Sequence, residues 1–137
     1  MSANLTDIAP NVGYYKLNYN TRDHDSTNSF DTSAYRYNVP ASGRYNISII
    51  AAFGSTNVLN NLYELYIYKN GALHSFVDRA VPAVTTSFCL KGSMILNLLA
   101  GDYIEIYLYG AGNNGTNKLV LAGTSTASSV SFHRIGY

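Results

Sequence analysis

The reactive side chains of this 137-residue chain are three histidines, eight carboxylates and one cysteine. Asp23, His24 and Asp25 are consecutive and could offer oxygen and imidazole ligands to a cation. A hard cation takes about six to eight oxygens from a shaped loop, and adjacent side chains converge only where a turn aims them. We read the triplet as part of a polar loop, with no metal. His24, His74 and His133 fall into no nucleophile–base pattern, and Ser125, Ser128 and Ser129 lack the Gly-x-Ser-x-Gly elbow of a hydrolase. Glu64, Glu105 and Asp102 invite comparison with the paired carboxylates of sugar hydrolysis. The plainer reading makes Asp102 a turn residue and the two glutamates the solubilising groups of outward strand faces. The glycine-rich stretch 110–117 lacks the lysine and following helix of a phosphate loop. No enzymatic activity and no cofactor are expected.

The totals narrow the classes further. A net charge of +1 with 12% charged residues gives no electrostatic footprint for nucleic acid. No apolar run approaches a membrane span. The first residues lack the charged and apolar regions of a signal peptide, so the chain reads as made in a cytoplasm. The sequons at Asn4, Asn46 and Asn114 then read as chance. Cys89 stands alone, which excludes an internal disulfide framework, and it is expected as a small core residue. Thirteen tyrosines without a tryptophan suit a chain whose outer surface is covered by copies of itself.

The elements that must position these residues are strands. In the stretch 96–108, Gly101 and Asp102 mark a tight turn, and the pattern predicts two antiparallel strands around it. Ile104, Ile106 and Leu108 then alternate with Tyr103, Glu105, Tyr107 and Tyr109, a period of two. Upstream, residues 1–11 read as a polar arm. Tyr15, Leu17 and Tyr19 mark a first strand, and 21–31 reads as a polar loop in which Phe30 plugs the core. Tyr35, Tyr37 and Val39 give a strand ending at Pro40, and Gly43 opens a long one through Tyr45, Ile47, Ile49, Ala51 and Phe53. After a loop at 54–60, Tyr63, Leu65 and Ile67 face opposite to Glu64, Tyr66 and Tyr68. Lys69-Asn70-Gly71 is a strong type I′ hairpin signal. Strands follow at 73–81, 85–90 and 93–98, with Gly92 as a bulge or break. A loop at 110–117, a short strand at 118–122 and a last strand at 128–137 complete the chain. Nine to ten strands without a helical period predict one all-β sandwich or barrel.

Five stretches in this order resemble the C1q globular head, a jelly roll shared with the tumour-necrosis-factor superfamily. They are Asn28-Ser-Phe-Asp31, Tyr37-Asn-Val-Pro-Ala-Ser-Gly-Arg-Tyr45, Tyr68-Lys-Asn-Gly71, Gly92-Ser-Met-Ile-Leu-Asn-Leu-Leu-Ala-Gly-Asp-Tyr103 and Ser128-Ser-Val-Ser-Phe132. The resemblance covers about 12–137 and implies a jelly-roll β-sandwich assembled as a homotrimer. The C-terminal His133-Arg134-Ile135-Gly136-Tyr137 departs from the family's usual Ser-x-Phe-x-Gly-(Phe/Tyr)-Leu ending, and no collagen-like or coiled-coil stalk is expected ahead of the domain. Tyr66, Tyr68, Tyr103, Tyr107 and Tyr109 would be unusually aromatic for an open surface. Between subunits they would supply contact area with a polar tip.

Two functions are therefore expected. The first is a virion structural protein: a trimeric capsid decoration (cement) protein of a bacteriophage or similar particle, attached to the major capsid or another virion protein. It would be made in the host cytoplasm and located in the virion. The second is the receptor- or carbohydrate-binding head of a tail fibre or a lectin-like module, with a cell-surface glycan as partner. Its ligand-facing loops would hold Asp23, His24, Asp25, Asn113 and Asn114, since Asn, Gly and Tyr in loops give adaptable hydrogen bonding and ring stacking.

Overall fold

A computed structural model of the chain describes residues 13–19, 22, 24–53, 62–83, 88–111 and 128–137. The segments 1–11, 54–60 and 118–122 lie outside these residues, as do Asp23, Asn113 and Asn114. Nine strands run through the described residues: β1 (Gly13–Lys16), β2 (Phe30–Asp31), β3 (Arg36–Asn38), β4 (Gly43–Phe53), β5 (Leu62–Lys69), β6 (Ala72–Ala80), β7 (Phe88–Leu98), β8 (Tyr103–Ala111) and β9 (Ser129–Gly136). One sheet has the order β2-β3-β8-β5-β6, with β1 also paired to β8; the other is β7-β4-β9. Every strand pair is antiparallel.

The alternation of the sequence is the alternation of the sandwich, because successive side chains in a strand point to opposite faces. Tyr45, Ile47, Ile49, Ala51 and Phe53 of β4 meet Tyr63, Leu65 and Ile67 of β5 and Ile104, Ile106 and Leu108 of β8 in one core. Phe30 joins it as expected, although it begins β2 instead of lying in a loop, and Tyr37 stacks on Phe132 with centroids 4.1 Å apart.

The stretch 96–108 is not a hairpin. β7 pairs with β4 and β8 pairs with β5, so the turn at 99–102 carries the chain from one sheet to the other. Its local chemistry is as expected. Asp102 accepts the Leu99 amide at 2.8 Å, and Gly101 adopts φ 91°. What redirects the strands is Val39: it accepts the Gly101 amide and donates its own to the Asp102 carbonyl, pinning the corner to the end of β3.

The Asn70-Gly71 turn has φ 52° and 82°, the left-handed pair a type I′ hairpin requires. Asn70 also exchanges hydrogen bonds with the start of β8, through the Tyr103 backbone and the Asp102 carboxylate. Tyr35 falls in the turn before β3, with φ 53°, and not in the strand.

Two further expectations are corrected. β7 is continuous through Gly92, with unbroken register to β4. The glycine is needed because a Cβ there would lie 2.5 Å from Cγ1 of Val77 on β6, where the two sheets approach. Asp78 ties the same place by accepting the Lys91 amide at 2.9 Å. Cys89, expected in the core, is exposed. It shares its parity with Lys91 and Ser93, while Leu90 takes the inward position.

Candidate functional site

The outward face of the six-stranded sheet gathers most of the tyrosines that the sequence singles out. Cross-strand register builds it in rows. Tyr14 of β1 lies opposite Tyr109 of β8, which lies opposite Glu64 of β5, which lies opposite Arg79 of β6. The next row runs Lys16, Tyr107, Tyr66 and Phe76, and the third pairs Glu105 with Tyr68 and Tyr68 with Leu73. Such lateral neighbours are the pairs through which a sheet face gains stability.

The rings pack on one another. Tyr68 and Tyr107 stack at 3.9 Å, and Tyr14 leans over Tyr109, Tyr66 and Tyr68 with centroids at 4.9, 5.7 and 6.3 Å. Tyr66 meets Phe76 edge-on at 5.8 Å. Tyr103 sits apart, with the Arg36 guanidinium 4.6 Å above its ring. The structure thus brings together four of the five tyrosines, and β1 places Tyr14 over them.

Glu64 and Glu105 were expected to face water, and both are buried, at 6% exposure each. The aromatic layer covers them, and each receives a cation. Arg79 donates to Oε1 of Glu64 from Nε at 3.0 Å and Nη2 at 2.6 Å, while the Tyr66 hydroxyl donates to Oε2. Glu105 pairs with Lys16, whose ammonium also donates to the Ala34 carbonyl at 3.0 Å. The Tyr66 hydrogen bond and the Arg79 guanidinium hold the Glu64 carboxyl below its ordinary range, against the opposing effect of burial. The same hydrogen bond, more than burial, pushes the Tyr66 hydroxyl up. Burial raises Tyr68 and Tyr107 as well.

Of the expected loop residues, His24 and Asp25 are described. Asp25 organises its own turn, accepting the amides of Thr27 and Phe30 and the Thr27 hydroxyl. Burial raises its carboxyl, and these hydrogen bonds outweigh that and leave it lowered. A groove of about 780 Å³ opens beside this turn, with His24, Asp25, Tyr37, Tyr45, Phe132 and His133 among its walls. Among the described residues no group of three or more histidine, cysteine or acidic side chains is placed to hold a metal ion.

The opposite outward face, on β7-β4-β9, is small and polar. Ser93, Ser48 and Ser131 lie in one row, and Ile95, Asn46 and His133 in the next. Ser48 and Ser93 are hydrogen-bonded at 3.0 Å, and Ser93 donates to Asn46 at 2.7 Å. Ile50 and Ile95 stand open on this face, at 39% and 61% exposure.

No family model matches the chain. It is 31% identical over 101 residues to the phage-like element PBSX protein XkdV of Bacillus subtilis (strain 168), a match covering 69% of this chain and 15% of that protein. The chain therefore spans about a seventh of the length of that relative. Among solved structures, murine APRIL superposes with a TM-score of 0.67 at 10% identity, over 98% of this chain and 95% of that one. The globular domain of zebrafish complement 1qA gives 0.66 at 14% identity, over 98% and 94%. These likenesses, with two antiparallel sheets and no helix among the described residues, identify the fold as the jelly roll of C1q heads and tumour-necrosis-factor ligands.

Proposed function

We propose that this chain is a non-enzymatic, homotrimeric component of a phage-type particle, acting as a head domain that presents a binding surface. The observation that carries this reading is the match to a phage-element protein in which the matched region makes up 15% of the length. A domain matched to a small part of a much longer phage-element protein suits a head more than a freestanding decoration protein. The capsid-decoration reading depends on 1–11 as an attaching arm, a segment outside the described residues.

Two features support the trimer. The fold is that of the C1q and tumour-necrosis-factor structures, and an open apolar pair, Ile50 and Ile95, lies on an otherwise polar face, with Lys91 opposite Ile50 and His133 in the row of Ile95. Three copies around an axis form heterologous contacts that close on themselves. We place the subunit contact on this face. The tyrosines of the six-stranded sheet already cover one another within one chain.

The test is native mass across a dilution series. A trimer that persists on dilution, and becomes monomeric in Ile95→Glu with unchanged circular dichroism, is the expected result. A stable wild-type monomer overturns the assembly. A trimer untouched by Ile95→Glu but broken by Tyr107→Ala moves the contact to the aromatic face.

A further inference from the structure

We propose that the outward face of the six-stranded sheet is a binding platform for an uncharged polysaccharide, with Tyr14, Tyr66 and Phe76 as its stacking row. The inference rests on the head-domain reading and names the ligand class and site for it.

The row's rings come from β1, β5 and β6, with β8 lying between β1 and β5. Tyr66 lies 5.7 Å from Tyr14 and 5.8 Å from Phe76, centroid to centroid, a spacing comparable to one pyranose unit. Tyr14 and Phe76, at its ends, are 49% and 48% exposed, and Leu73 beside them is 48% exposed. These are large apolar groups left open on a face whose other rings are occupied by each other, since Tyr68 and Tyr107 stack face to face. Aromatic side chains with one apolar surface and a polar tip suit ligands that are themselves apolar on one face and hydroxylated at the rim.

Charge selects the class. Beside the row lie two cations and two carboxylates, matched one to one as Lys16–Glu105 and Arg79–Glu64, while Arg36 on β3 is stacked over Tyr103. A polyanion is recognised by cations free to replace its counterions, and the two cations beside the row already have carboxylate partners. A paired cation at the margin of an aromatic surface still offers hydrogen-bond donors. Arg79 keeps 61% of its side chain exposed, so its remaining N–H groups can donate to a sugar hydroxyl. The carboxylates lie buried beneath the rings and neutralise the two cations from below. A ring-bearing surface with its nearby charges paired, its rings tilted to one another by 54° and 71°, fits a neutral sugar polymer.

The experiment is affinity electrophoresis of the full chain in native gels containing hydroxyethyl cellulose, glucomannan, dextran or heparin, joined to an array of uncharged oligosaccharides. Retardation by at least one neutral polymer is expected. Tyr14→Ala and Phe76→Ala should each weaken it about tenfold, the value of one lost stacking contact. Tyr14→Phe, which keeps the ring, should stay within about threefold of the wild type. Circular dichroism and native mass of each variant exclude loss of fold as the cause. Binding to none of the neutral glycans overturns the proposal, as does retardation by heparin alone. Neutral-glycan binding that survives both alanine variants overturns the site. Native mass on the same samples separates the two readings: a trimer indifferent to every glycan keeps the assembly and removes the platform. A monomer that binds through Tyr14 does the reverse.

Discussion

The two outward faces of the sandwich solve opposite problems. On the six-stranded sheet, two carboxylates are buried under aromatic rings, and each is held by a cation from a neighbouring strand. On the three-stranded sheet, serines and an asparagine hydrogen-bond across strands at the surface. The difference shows what burying charge demands. It needs cover and a counter-charge together, since a lone buried ion loses several kcal/mol of hydration. β1 provides both for Glu105, setting Lys16 against it and Tyr14 over the neighbouring tyrosines. No such strand lies over β7-β4-β9 among the described residues, and its face stays shallow and polar.

The largest effect should come from breaking the better-covered side. Lys16→Met leaves Glu105 buried without its cation, and we expect a loss of about 3 kcal/mol in urea unfolding at pH 7. A loss below about 1 kcal/mol would mean that water reaches Glu105 and that the contrast between the faces is overstated. Next comes the place where the sheets meet. Gly92→Ala puts a methyl 2.5 Å from Val77 Cγ1, and because a β-branched neighbour yields little, about 2 kcal/mol should be lost to overpacking.

Tyr66→Phe sharpens the comparison through pH. It removes the hydrogen bond that does most to hold the Glu64 carboxyl below its ordinary 4.5, at about 1 kcal/mol near neutrality. A carboxyl lowered by folding contributes stability above its unfolded value and loses it as pH falls through the folded value. The wild type and the variant should therefore differ fully above about pH 5 and converge as the pH drops below 4.5. A gap that stayed constant down to pH 2 would assign the loss to packing. Asp102, lowered by Asn70 and the Leu99 amide, and Asp31, brought to about 2 chiefly by the Ser33 hydroxyl, add to the same acid limb in both proteins. The smallest effect belongs to the polar face. Ser48→Ala should change stability by less than about 0.5 kcal/mol, since its partners stay in reach of water; a larger loss would make the serine row a structural network.

The period of two placed the core of β4, β5 and β8 without error, because inward parity is a local property. The Asn70-Gly71 turn was legible for the same reason. What local pattern does not encode is which strand lies beside or above. The turn at 99–102 reads as a hairpin until Val39, some sixty residues earlier, is seen to hold it at a corner. Glu64 and Glu105 read as solvent-facing because their cover is nonlocal; Lys16 lies 89 positions from Glu105. Cys89 is a different miss. Its parity with Lys91 and Ser93 was available in the sequence, and its apolar neighbours Phe88 and Leu90 outweighed that signal. The aromatic platform was half legible: alternation grouped Tyr66, Tyr68, Tyr107 and Tyr109, but not Tyr14 and Phe76, which the register adds.

The exposed thiol of Cys89 has a practical consequence. It is the sole cysteine in the chain and lies on β7, beside Ala52 in the register, so a maleimide-linked spin label would mark one defined spot per subunit without any engineering of the sequence. In a threefold assembly three such labels form an equilateral triangle, and a dipolar electron-resonance measurement would return a single interspin distance. A short distance would put the three-stranded sheet near the axis, and a long one would put it on the rim.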